Sequence, residues 1–228
     1  ALKLLAQAGY DVDKSISTVD STVNLSIATN MELAEATSIL TSVMAAFGYE
    51  ADQATHVTDV LTKAASSSNT DVSELGEAFK AVAPTAAALG YSVDEVAIIL
   101  GQMANQAIAS SEAGNGLKSI LASLVKPTKN AKAIMDEYGV SLTDAEGNAL
   151  PLLEVVSNMR EKFGALDETQ QAEIATTLAG KQQMSKFLAI INGGDESFNN
   201  LKDAIANCDG TTAQMRETME ATASGGIK

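Results

Sequence analysis

The chain has 228 residues, 46% hydrophobic but only 4% aromatic, with no Trp, a single Cys and a formal net charge of −14. That length suits one elongated or two compact domains, and the apolar fraction, rich in Ala, favours many close helix contacts over one deep core. The charge repels nucleic acid at long range, which argues against a specific nucleic-acid partner, and one Cys excludes an internal disulfide.

No run of about 18 apolar residues occurs, so no membrane span is expected. The opening residues Ala1-Leu2-Lys3-Leu4-Leu5 start mid-pattern without a signal peptide, as an excerpt of a longer protein would.

In chain order, the first signal is the dipeptide Gly-Tyr, which occurs three times after an apolar residue and three residues before an Asp. The copies are Ala8-Gly9-Tyr10 with Asp13, Phe47-Gly48-Tyr49 with Asp52, and Leu89-Gly90-Tyr91 with Asp94. The glycines stand 39 and then 42 positions apart, a period of about 40 that suggests repeated, stacked helical hairpins. Leu33, Ala36, Leu40, Val43 and Phe47 step by 3, 4, 3 and 4, as do Leu75, Ala78, Val82, Thr85 and Leu89. Each stripe predicts an amphipathic helix of about five turns. Each Gly then closes its helix by taking the left-handed conformation, and each Tyr packs back over the closing turn. Second helices follow on Ala54, Val57, Leu61 and Ala64, and on Val93, Val96, Leu100, Met103 and Ala107.

Ser92 with Glu95 reads as a capping box. Asp13, Asp52 and Asp94 fall in first turns, where the helix dipole favours negative charge, whereas Glu50 is a poor cap. Polar loops at Ala28–Asn30, Ser66–Thr70 and Ala109–Ser111 separate the units. Pro84, where the earlier copy has Ser42, predicts a kink or hinge inside its helix.

Past Ser111 the pattern shortens. Helices are predicted over Leu117–Val125, Thr128–Tyr138 and Pro151–Phe163, with a further one capped by Asp167. More follow near Gln182–Ile191, Ser197–Cys208 and Thr211–Ala223, the last opened by a Thr211–Gln214 capping box. Val140 and Leu142 alternate before an Asp144–Asn148 turn, which predicts a small β-hairpin across 140–150. The expected fold is therefore all-α, with helical-hairpin repeats over 1–110, a short-helix region over 111–223 and a flexible tail over 224–228.

Chemistry-bearing groups are sparse. His56 is the only histidine. A dyad or zinc site needs a partner, and nothing in the sequence organises it with Cys208, so His56 reads as solvent-facing and Cys208 as a small apolar residue. Asp144–Asn148 lacks the EF-hand spacing, since Gly147 comes fourth and Glu154 eleventh. Ala179-Gly180-Lys181 lacks the first Gly and the Ser or Thr of a phosphate loop. Lys118, Lys126, Lys129 and Lys132 form a basic cluster without interleaved aromatics, which reads as a solvated face. Met103 and Met184 lie on apolar stripes. No paired carboxylate or Cys/His arrangement supports a hydrolase, and no cofactor or metal site is expected.

The run Glu74-Leu75-Gly76-Glu77-Ala78 through Pro84, Leu89-Gly90-Tyr91-Ser92 and Leu100-Gly101-Gln102-Met103-Ala104 resembles the core region of phage tail tape measure proteins. The small-residue loop Ala109–Leu117, then Tyr138-Gly139-Val140, Asp144–Asn148 and Ala179-Gly180-Lys181-Gln182 are similar too. The ordered matches span about residues 70 to 192.

The resemblance implies a non-enzymatic virion component that occupies the tail-tube lumen, sets tail length by its own length and leaves with the DNA. It implies tail tube and tail assembly proteins as partners, self-association among the readings, and a place in the virion tail after assembly in the host cytoplasm. Ser110, Ser111, Gly114 and Gly116 become candidates for an interaction loop, with Asn115-Gly116 departing from the family's usual pair. The alternative is an α-helical repeat scaffold for protein–protein interaction, unrelated to phage. Because Gly and Pro interrupt the chain every 15–20 residues or so, this region is expected to fold into a module rather than one long rod.

Overall fold

In the computed structural model, which describes the backbone of residues 1–225 and side chains through 222, every Gly-Tyr dipeptide turns the chain. Helices α1 (Leu2–Gln7), α3 (Leu33–Phe47) and α5 (Val72–Ala88) end in turns containing Gly9, Gly48 and Gly90, with φ of +90°, +69° and +81°. In each turn the Tyr N–H donates to the carbonyl five residues back: Tyr10 to Leu5 (3.1 Å), Tyr49 to Met44 (2.9 Å) and Tyr91 to Ala86 (3.1 Å). That closure needs a left-handed residue, where a Cβ crowds the next carbonyl, so Gly fits.

Helices α2 (Val12–Thr29), α4 (Ala54–Ser66) and α6 (Val93–Asn105) follow the corners. Asp13 and Asp94 lie in the first turns of α2 and α6, while Asp52 lies in a 3-10 turn, Ala51–Gln53, that precedes α4. Asp11 caps α2 by accepting from the Lys14 N–H (2.8 Å), and Ser92 and Glu95 form a reciprocal capping box.

From α3 onward, two helices joined by one corner touch less than helices in like positions do. Helices α3, α5 and α7 (Ser110–Val125) pack side by side in one row, and α2, α4 and α6 in another. The apolar faces are therefore shielded chiefly by the neighbouring helix of the same row, not by the partner across the corner. Small residues allow the approach: a Cβ on Gly76 of α5 would lie 2.7 Å from Ile39 Cδ1 of α3, and one on Gly114 of α7 would lie 2.1 Å from the Ala78 carbonyl oxygen.

Two of the corner tyrosines reach other helices. Tyr10 Oη donates to Met44 Sδ (3.6 Å), and Tyr49 Oη accepts from the Val93 N–H (3.4 Å) while its ring stacks on Phe47 at 5.6 Å. Pro84 is exposed within α5, which continues through it to Ala88.

The remainder is also helical: α8 (Lys129–Tyr138), α9 (Leu152–Gly164), α10 (Glu168–Ala179), α11 (Met184–Asn192), α12 (Asp195–Ala206) and α13 (Thr211–Gly225). Pro151 takes the capping position of α9 rather than its first helical residue. One buried apolar cluster runs from Leu25 to Cys208 and includes Phe79, Phe163 and Phe187.

The sequence-predicted β-hairpin forms no strand among the described residues. Thr143 and Ala149 make a single antiparallel bridge. Asp144 instead organises a loop, its Oδ1 accepting from the Glu146 (3.0 Å) and Asn148 (2.8 Å) amides, and a lone two-residue ladder is too short to propagate. Of the expected tail, residues 224 and 225 close α13, and residues 226–228 lie outside the described residues.

Candidate functional site

The chain's most developed polar constellation lies where the α12–α13 connection docks on α4 and α6. Helix α4 is buried almost all round, because its apolar stripe enters the core while Thr58, Asp59 and Thr62 face other helices. Asp59, 2% exposed, accepts two main-chain hydrogen bonds across the fold, from the Gly210 N–H to Oδ2 and from the Thr212 N–H to Oδ1, both 2.8 Å. Thr212 Oγ1 donates to Thr62 Oγ1 (3.0 Å). The carboxylate of α4 thus satisfies first-turn amides of α13, where the helix dipole also favours negative charge. The expected Thr211–Gln214 capping box gives way to this arrangement, with Thr211 already inside the helix and the Gln214 N–H bonded to the Gly210 carbonyl (3.1 Å).

Beside this grip, His56 on α4 pairs through Nε2 with Asp94 Oδ2 (3.1 Å), so the first-turn Asp of α6 has a second role. The other ring nitrogen, Nδ1, lies 3.9 Å from Asp209 Oδ1. His56, Cys208 and Asp209 each offer a ligand atom, and these atoms lie within 4.8 Å of one another. Nothing in the sequence organised His56 with Cys208; the fold brings their ligand atoms within 4.8 Å of each other. His56 is half-buried, and Cys208, 2% exposed, lies against it. Burial first, then the charges of Asp94, Asp59 and Asp209, push the Cys208 thiol up to about 11. At neutral pH it is protonated, so it is not an activated nucleophile.

A second buried charge, Arg160 on α9, joins α11 to α12. Its Nη1 donates to the Ile190 carbonyl (2.7 Å), its Nη2 to the Gly193 carbonyl and to Asp195 Oδ1 (2.7 Å), and its guanidinium lies 4.7 Å from the Phe198 ring centre. A cation among the last carbonyls of a helix is favourably placed.

The remaining sequence candidates have structural settings. Ser110, Ser111, Gly114 and Gly116, expected in a loop, lie in α7. Gly114 meets α5, and Gly116 meets the Lys186 side chain, whose Nζ pairs with Glu112 (2.8 Å). Ala179-Gly180-Lys181 is the junction of α10 with a 3-10 turn, and Lys118, Lys126, Lys129 and Lys132 are all exposed. Met103 is fully buried. The sequence reading missed Asp59 and Arg160, whose signal was a charge inside an apolar stripe, Val57–Leu61 and Val156–Phe163.

Residues 1–180 match the family model described as phage-related minor tail protein. The chain is 35% identical over 216 residues, 95% of its length, to a protein of Pneumococcus phage Dp-1 named tape measure protein. It is 28% identical over 228 residues, 99% of its length, to one of Escherichia phage P2 named probable tape measure protein. It spans only 19% and 28% of those relatives. No solved structure matches.

Proposed function

The chain belongs to the phage-related minor tail protein family, and we propose that it forms a folded, non-enzymatic module within a tape measure protein of the phage tail. The observation that carries this reading is the break-up of the chain: among the described residues the longest helix has 18 residues, or about 27 Å at 1.5 Å per residue. One continuous helix of the whole chain would instead span about 340 Å. Tail length is then measured mostly by sequence outside this region.

Period-40 hairpin stacking accounts for the packing of like helices on one another, with the Gly-Tyr corners and their aspartates as the repeated joints. The two segments, 1–110 and 111–223, are the corner-bearing repeats and the shorter helices that cover them. Pro84 serves as a bend on the exposed side of α5. The partners on this reading are tail tube and tail assembly proteins, met in the host cytoplasm and kept in the virion tail. The charge of −14 limits sticking to DNA passing through the same conduit.

An in-frame deletion of this region, followed by electron microscopy of assembled tails, tests the proposal. Tails shortened by far less than about 340 Å are expected. Shortening by the full helical length would show that these residues serve as an extended ruler.

A further inference from the structure

Two elements deliver three metal-binding side chains to one point. His56 comes from α4, while Cys208 and Asp209 come from the α12–α13 connection. Asp59 fixes that connection at Gly210 and Thr212, immediately beyond the Cys–Asp pair. Both Asp59 oxygens are occupied by amides, which leaves the thiol and the Asp209 carboxylate as the donors facing His56.

The histidine is oriented as a ligand would be. With the Nε2 proton donated to Asp94 (3.1 Å), Nδ1 keeps its lone pair and lies 3.9 Å from Asp209 Oδ1. A carboxylate behind the ring is the usual way a metal-binding histidine is held and its basicity raised. Asp209 is 96% exposed and free to swing inward. A tetrahedral ion with bonds of about 2.0–2.3 Å spaces its ligand atoms by roughly 3.3–3.8 Å. Donors already within 4.8 Å need to close by about 1 Å to meet that spacing.

We propose that His56 Nδ1, Cys208 Sγ and an Asp209 carboxylate oxygen bind one zinc-class divalent ion, with Asp94 as the positioning residue and water in the fourth place. On binding, the thiol proton leaves to solvent as the sulfur–metal bond forms. Thiolate with imidazole selects a borderline ion such as Zn²⁺ over Ca²⁺ or Mg²⁺. The ion fastens the α12–α13 connection to α4 and α6. Nothing in this inference depends on the tail-module reading.

Cobalt titration of the chelator-stripped 228-residue chain tests it. The expected result is a near-ultraviolet thiolate-to-cobalt band that saturates at one Co²⁺ per chain and is bleached by Zn²⁺. Cys208→Ser and His56→Gln, with helicity unchanged by circular dichroism, should each remove the saturable band. Asp94→Asn should keep it with affinity lowered about 10- to 100-fold.

Zn²⁺ should also raise the melting temperature of the unsubstituted chain, and that rise should vanish in His56→Gln. This second readout stands even if Cys208→Ser does not fold. Absence of a thiolate band at saturating Co²⁺ overturns the proposal, as does a band unchanged by His56→Gln or a Zn²⁺ shift that survives it.

Discussion

Gly114→Ala tests the closest approach in the helix rows. An added Cβ would lie 2.1 Å from the Ala78 carbonyl oxygen and 2.8 Å from the Ala78 Cα and carbonyl carbon. Carbon–oxygen contacts normally begin near about 3.3 Å, so more than 1 Å of overlap must be relieved. The obstructing atoms are main chain, so no side chain can swing away and α5 and α7 must part. A gap of about 0.5–1 Å forfeits a quarter to a half of the dispersion attraction along the contact.

Overpacking of this kind costs about 1–3 kcal/mol or more, offset by about 0.5–1 kcal/mol of helix propensity gained on replacing Gly. The net expectation is destabilisation of up to about 2.5 kcal/mol, or a melting temperature lower by up to roughly 10 °C for a chain of this size. Two controls separate crowding from propensity. A Cβ on Gly116 would lie 2.8 Å from Lys186 Cγ, part of a flexible side chain, and one on Gly164 would meet nothing within 4 Å. Gly116→Ala should therefore stay within about 1 kcal/mol of the parent, and Gly164→Ala should gain about 0.5 kcal/mol. Urea unfolding followed by circular dichroism ranks the three. A Gly114→Ala chain as stable as the Gly116→Ala chain would refute the close α5–α7 approach.

Asp59→Asn leaves one of the Gly210 and Thr212 amides facing an amide NH₂. Loss of one hydrogen bond to a buried charge should cost about 1.5–3 kcal/mol, with faster hydrogen exchange at Gly210 and Thr212; unchanged exchange there would contradict the capping. Gly48→Ala and Gly90→Ala should each cost about 1–2 kcal/mol by calorimetry even though an added Cβ meets nothing within 4 Å, because φ is positive at both. Stability unaltered by either change would exclude the left-handed corners.

Burial raises the phenol pKa of Tyr10, Tyr49 and Tyr91 above 10.0. Groups whose pKa is raised on folding contribute stability that is complete below the unfolded value and lost as pH climbs through the folded ones. Alkaline unfolding should therefore begin above about pH 10. Spectrophotometric titration should show these phenols ionising late, and ordinary titration in the folded chain would show that the corners are open to water.

The corners were legible because their chemistry is local: Gly, Tyr and the capping Ser or Asp sit within a few residues of the helix ends they shape. The all-α class followed from the 3–4 step of apolar residues. The pairing of rows was not legible, since a stripe shows which face is buried but not which helix covers it. Gly114 and Gly116 suggested a loop because Gly disfavours helix locally, yet close packing against Ala78 and Lys186 accounts for them inside α7. Asp59 and Gly210, or His56 and Cys208, stand about 150 positions apart, and no periodicity joins residues at that range. The predicted hairpin rested on the alternation of Val140 and Leu142 alone, and the fold gives one bridge there, Thr143 with Ala149, and no strand among the described residues.

Helix α13 lies over α2 and α4, and among its described side chains only Thr212 is buried. The buried positions of α2 begin with hydroxyls, Ser15, Thr18, Ser21 and Thr22, before Leu25 and Ala28. The outermost layer is thus a latch with little grease in it. Tension applied at its far end should unzip that layer before the apolar rows beneath it yield. A single-molecule pulling record would then show a low first yield before a larger rip, and one simultaneous rupture would argue that the latch is as firm as the core.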